Sequence, residues 1–173
     1  MRLDAKQRGV ALGMMLGLVV AVAMLALGAR LATWGPPGGS VETLGAAVAI
    51  LGLWAAAAIG NVARLRFFDP RAIDGAAGSD DPPGLRIADA VLRNTLEQAV
   101  LALLAYVALA ATLAGAAPTI ALLIGCFSVG RVMFWAGYPG GAANRALGFA
   151  LTFYPSVLAL IMVLVRLVAA RLG

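Results

Sequence analysis

Five apolar runs, each close to the length that crosses a bilayer, take up most of this chain, at roughly 9–33, 43–63, 86–114, 118–137 and 145–168. About 20 consecutive apolar residues in a helix span the hydrocarbon core, so the pattern predicts an all-α integral membrane bundle. Composition agrees. Of the 173 residues, 62% are hydrophobic and only 12% charged, against about 25% charged in a soluble domain.

The breaks between runs are chemically clear. Gly35-Pro36-Pro37-Gly38-Gly39-Ser40 ends the first, and Ser40 is placed to N-cap the second, with Glu42 in its first turn. Ala116-Ala117-Pro118 turns the chain after the third run, and Tyr138-Pro139-Gly140-Gly141 ends the fourth. The stretch from Asp69 to Gly84 is the one long loop, rich in Asp, Gly and Pro. Its Asp80 and Asp81 read as solvated loop residues rather than metal ligands.

The net charge is +5, but the basic residues stand at the ends of apolar runs rather than on a polar stripe. That distribution points to topology and site residues and away from nucleic acid. Arg2, Lys6 and Arg8 precede the first run, and Arg64, Arg66, Arg71, Arg86 and Arg93 flank the long loop, whereas 34–43 and 115–118 carry none. The N-terminus, the long loop and the turn at 138–144 are therefore expected on the cytoplasmic side. Arg166 and Arg171 near the C-terminus count mildly against this. The Ala-rich, short-looped chain suggests a bacterial inner membrane. Cys126 is the only cysteine, so no internal disulfide forms, and a buried inert thiol is expected. With no histidine in the chain, the commonest general base and most metal-site readings are removed.

Residues 1–34 read as an extra N-terminal transmembrane helix. The basic start and Ala26-Leu27-Gly28-Ala29 also resemble a secretory signal, but the apolar stretch exceeds the ~7–15 residues of a signal core, which favours a retained helix. Gly9, Gly13 and Gly17 form a four-residue repeat suited to close helix contact, or a chance spacing among 21 glycines.

Polar side chains gather at one end of the runs. Arg93, Asn94 and Glu97 stand at the mouth of the apolar run Ala99–Leu113, on one helical face. Lipid penalises an ionised side chain that finds no partner or water, so this trio should point into the bundle near its wet end. A second group closes the fourth run. Arg131 and Tyr138 lie two turns apart, roughly 10 Å along the axis, with Glu97 available as a partner for Arg131. Arg145 begins the fifth run, where it either strengthens an anion site at a helix N-terminus or serves as a topology residue. Pro155 lacks an N–H and frees the carbonyl of Leu151. It shapes a groove beside Tyr154, or is simply a tolerated membrane-helix proline.

Arg93-Asn94-Thr95-Leu96-Glu97 opening one helix, followed by Arg131…Phe134-Trp135-Ala136-Gly137-Tyr138…Arg145, resembles the MAPEG family, the membrane-associated proteins of eicosanoid and glutathione metabolism. Gly137-Tyr138 followed by Arg145 is similar to the leukotriene C4 synthase-like pattern. The resemblance covers about 43–170 and implies a four-helix membrane domain there, assembled as a homotrimer with glutathione in a crevice between subunits. By that likeness Arg93, Asn94, Glu97, Arg131 and Tyr138 would hold the tripeptide. Arg64 or Arg66 would add a contact, and Arg145 would face the sulfur as the catalytic residue. Arginines suit the two carboxylates of glutathione, Glu97 suits its ammonium, and a guanidinium favours the thiolate. The sequence departs from the pattern in places. Many members carry a further Arg three or four residues before the Asn, where Ala90 stands in this chain with Asp89 just beyond. Phe134 replaces a frequent Tyr or His, and Ala150 a Tyr.

The leading expectation is a glutathione-dependent transferase or peroxidase acting on lipophilic electrophiles, with glutathione as co-substrate, no metal, and membrane lipids and lipophilic small molecules as partners. The alternative is a non-catalytic member that binds lipid or scaffolds partners. A transporter or channel would need a polar line through the whole membrane, whereas these polar residues gather at one end.

Overall fold

The computed structural model describes residues 4–33, 39–70, 72–73 and 82–172. Five helices follow one another: α1 (Ala5–Ala32), α2 (Ser40–Phe67), α3 (Pro83–Thr112), α4 (Ala117–Gly137) and α5 (Ala142–Leu172), with a single 3-10 turn, Tyr138–Gly140, between the last two. All five are long and apolar enough to cross a membrane, and there is no strand among the described residues. The protein is an integral membrane helical bundle. Large apolar side chains point outward on every helix, among them Met15, Leu53, Val100, Val129 and Leu164, as expected of a surface solvated by lipid rather than water. Arg2, the segment 34–38, Arg71, Asp80 and Asp81 lie outside the described residues.

Each helix begins or ends where the backbone chemistry directs. Asp4 caps α1 through its carboxylate, which accepts from the Gln7 N–H at 2.6 Å, while the Gln7 side chain accepts from the Asp4 N–H at 2.9 Å. Pro83 occupies the first position of α3, where its missing N–H costs nothing. Ser40 does not cap α2 as expected. Gly39 takes the cap in a left-handed conformation (φ 73°), and Ser40 is already helical with no side-chain cap bond.

The interior is built mainly by α2–α5. Leu51, Tyr106, Leu109, Ile120, Leu123 and Phe127 are buried in one cluster. Two indole N–H groups pin helices together: Trp54 donates to Ser128 Oγ at 3.1 Å and Trp135 to Thr95 Oγ1 at 3.3 Å. Such bonds substitute for the hydrophobic drive that lipid removes between helices.

α1 packs along α5 by its glycines. A Cβ on Gly9, Gly13 or Gly17 would overlap Ala143, Ala146–Leu147 or Ala150 respectively. The four-residue repeat is a contact ridge and not a chance spacing. Pro155 lies within α5, and the carbonyl of Leu151 that it leaves without a helical donor is met by the Cys126 thiol, Sγ···O 3.4 Å. The one cysteine and the mid-helix proline are thus a matched pair.

Candidate functional site

At the end of the bundle where α1 and α3 begin and α4 turns into α5, the structure gathers a group of polar side chains. Gly137 makes the turn tight, because a Cβ there would overlap the Asn144 carbonyl. α5 therefore starts directly against the end of α4, with Tyr138 and Arg145 side by side. The Arg145 guanidinium carbon lies 4.1 Å from the centre of the Tyr138 ring, a stacking contact that orients the fork. Among the described residues nothing accepts a hydrogen bond from it, so its N–H donors are free. The nearby first turn of α5 has unpaired backbone N–H groups of its own.

Behind this pair lies Arg131, which has no solvent exposure. Its two terminal nitrogens donate to Asn94 Oδ1 at 2.9 Å and Thr152 Oγ1 at 2.8 Å. The guanidinium carbon lies 4.6 Å from the Phe134 ring centre and 5.6 Å from that of Phe127. Nε has no partner among the described residues. No carboxylate among the described residues neutralises the group. Glu97, the expected partner, is exposed on α3, and two neutral oxygens and two ring faces take its place. A lone buried charge is costly, so its retention beside a cleft is informative: it makes the local potential positive. Arg131, Phe134, Tyr138 and Arg145 form one continuous ladder, with the two rings edge-on at 5.4 Å.

Arg131 also determines which end of the Asn94 amide faces outward. A guanidinium only donates, so Oδ1 must face it, and the two amide N–H donors are left for the cleft.

That cleft has a volume of about 330 Å³. Its polar lining is Asn94, Tyr138 and Arg145, its aromatic lining Phe134 and Phe149, and Val10 and Met14 of α1 close one side. No acid lines it. Every fixed polar group is a donor or, in Tyr138, able to donate, so the cleft suits an anion or a strong acceptor: a carboxylate, a thiolate, a phosphate.

The remaining expected residues lie elsewhere in the protomer. Arg93 and Glu97 are exposed, on the α3 stripe that continues through Leu96, Val100, Leu104 and Val107. The trio does not share one environment, because Asn94 is turned about 100° from Arg93 and 60° from Glu97 around the helix. Arg64 is exposed and donates to Asn61 Oδ1 at 3.1 Å. Arg66 pairs with Asp89 at 3.3 Å, the two side chains 30% and 26% exposed. Arg131 is itself not on the cleft surface and acts through Asn94. Sequence reasoning missed Thr152, Phe149, Val10 and Met14. Thr152 carried a signal, a hydroxyl two turns after Arg145 and so on the same face of α5. The α1 pair carried none beyond following the ridge glycines. No cluster of metal-ligating side chains occurs among the described residues.

In comparison with known proteins, the model of the MAPEG family matches residues 43–165, which takes in α2, α3, α4 and most of α5 but not α1. No curated protein matches the chain, and neither does any solved structure.

Proposed function

The chain belongs to the MAPEG family, and from that membership we propose that it is a glutathione-dependent membrane transferase or peroxidase that conjugates or reduces lipophilic electrophiles. Membership supports a glutathione- or eicosanoid-related role at the membrane in general terms. The finer reading rests on one observation: Arg145 stacked on Tyr138, its donors free, in a cleft with no acid.

The donor set fits a thiolate and a carboxylate. A free thiol has a pKa near 8.5 and is mostly protonated at neutral pH. Lowering that value by ~2 units requires about 2.7 kcal/mol of preference for the thiolate, within reach of one desolvated guanidinium and a helix terminus. The thiol proton leaves to water. The sulfur then attacks the electrophilic carbon, the C–S bond forms, and the leaving group departs with its electron pair. With a hydroperoxide the sulfur attacks the terminal oxygen, the O–O bond breaks, and the alkoxide takes up a proton. A second glutathione then displaces water from the sulfenic acid to give the disulfide.

The glutathione ammonium needs an acceptor, and the cleft lining holds no carboxylate. Glu97 is three residues and ~4.5 Å of rise from Asn94, at the rim where another copy would pack. An ionised stripe residue facing lipid is costly. We therefore assign Arg93, Glu97 and Arg64 to a homotrimer interface, each site completed by a neighbouring copy, while Arg66 is already paired with Asp89 of its own protomer. By the Arg and Lys distribution the N-terminus and the cleft face the cytoplasm.

The test is turnover of glutathione with an aryl halide or a lipid hydroperoxide by purified protein. Arg145→Ala should lower kcat/KM by about 10²–10³, and undiminished turnover removes the sulfur role. The alternative, a non-catalytic member that binds lipid or scaffolds partners, draws support from Ala90, in the window where a further Arg is frequent in the family, and from Phe134, where Tyr or His is frequent; both line the cleft. Calorimetry showing no glutathione binding to an intact oligomer favours that second reading.

A further inference from the structure

Among the described residues α1 and α3 do not pack directly on one another. Each packs on α5, and the cleft is the gap between them. Val10 and Met14 form the α1 wall, Ala90 and Asn94 the α3 wall, and Arg145 and Phe149 lie on the α5 floor. Without α1 the same residues would sit in a groove open to lipid along its length. α1 lies outside the stretch that matches the family, so this wall comes from a part of the chain that the match does not cover.

The wall is held firmly. Val10 and Met14 each directly follow a ridge glycine, Gly9 and Gly13, whose missing Cβ lets the α1 backbone rest on Ala143 and Ala146–Leu147. The contact that locks α1 therefore also sets the width of the cleft. The cleft is graded in polarity with depth. Arg145 and Tyr138 supply donors at the mouth, and Asn94, held on the same guanidinium as Thr152, adds one on the α3 side. Phe149 lies about 6 Å deeper along α5, beside the apolar α1 wall. Its ring stacks on Phe153 at 5.4 Å and 19°, which carries the aromatic surface one turn further toward the bilayer. An apolar molecule arriving from lipid would meet Phe153, then Phe149, then the donors. A volume of about 330 Å³ is near the small end of ligand pockets, ~300–1,000 Å³, and the sulfur end of glutathione takes part of it, so what is left suits only a compact aryl or short alkyl group.

We propose that α1 is the acceptor-selecting wall of this site: Val10 and Met14, facing Phe149, hold the apolar part of the electrophile and set the size of acceptor presented at Arg145. The proposal rests on the reading that the cleft performs glutathione chemistry, and its test separates the two.

Purified full-length protein is assayed with glutathione and two aryl halides, one single-ring and one naphthyl, alongside Met14→Ala and Met14→Phe. Met14→Ala should raise the naphthyl-to-phenyl ratio of kcat/KM by about tenfold, and Met14→Phe should lower it, as a few methylenes of pocket do elsewhere. Separately, wild-type protein is photolabelled with a naphthyl diazirine, with and without excess unlabelled naphthyl halide, and the modified residues are mapped by mass spectrometry. Competable labelling of Val10, Met14 or Phe149 is expected. An unchanged ratio in both variants, or competable labelling confined to other faces, overturns the proposal. If wild type turns over neither halide, the glutathione reading falls and the labelling alone decides the role of α1.

Discussion

A single side chain, Arg131, ties the candidate site to the core. It reaches α3 through Asn94 and α5 through Thr152 while belonging to α4, so its loss would be felt by three helices at once. Thr152→Val keeps the shape and removes the acceptor. A second buried guanidinium N–H joins the unpaired Nε, and the cost should be about 1–3 kcal/mol, read as a lower unfolding midpoint in detergent. Arg131→Lys is not conservative here, because a point-like ammonium cannot bond both oxygens and stack between Phe127 and Phe134. It should release Asn94 and raise the KM for glutathione more than it lowers kcat. The residues of this site were only partly legible in advance. That Arg131, Tyr138 and Arg145 share one end of the bundle follows from spacing. That Arg131 meets Asn94 and not Glu97 does not, because a 60° difference around α3 separates a half-buried partner from an exposed one.

At the scale of helices, two close contacts organise the bundle. One is the α1 ridge on α5. Gly17→Leu places a side chain where Ala150 already sits, so α1 should lift away, with faster proteolysis near its start and a wider cleft. Gly45 on α2 has open space around it, and Gly45→Leu should leave the protomer fold intact. The other is at Pro155 in α5, where Cys126 serves the carbonyl that the proline orphans. Cys126→Ala should destabilise wild type by about 0.5–1.5 kcal/mol and be nearly neutral in a Pro155→Ala background, where the helix supplies its own donor. A double-mutant cycle with no coupling would mean the thiol is a passive filler.

In the whole molecule, the outward face of α2 differs from the other lipid-facing surfaces. Gly45, Ala49, Gly52, Ala56, Gly60 and Ala63 are all exposed, and nothing lies within 4 Å of a Cβ built on Gly45, Gly52 or Gly60. A smooth stripe of this kind lets another helix approach closely. Together with Arg93 and Glu97 on α3 it supports assembly from several copies. Native mass spectrometry should report a trimer. Gly52→Leu should dissociate it while leaving the helical content unchanged, and Glu97→Gln should weaken the thermal shift produced by glutathione.

Five spans, their order and the clustering of polar residues at one end follow from the chain alone. Each depends on local quantities: the length of an apolar run, a Gly or Pro break, the penalty lipid places on charge. The pairing of Cys126 with Leu151, the rotation that turns Asn94 onto Arg131 while leaving Glu97 outside, and the placing of Val10 and Met14 across from Asn94 were decided only by packing. Those depend on how far each helix is turned about its axis and which neighbour it meets. Several rotations satisfy the same apolar pattern, and only contacts between residues distant in the chain choose among them.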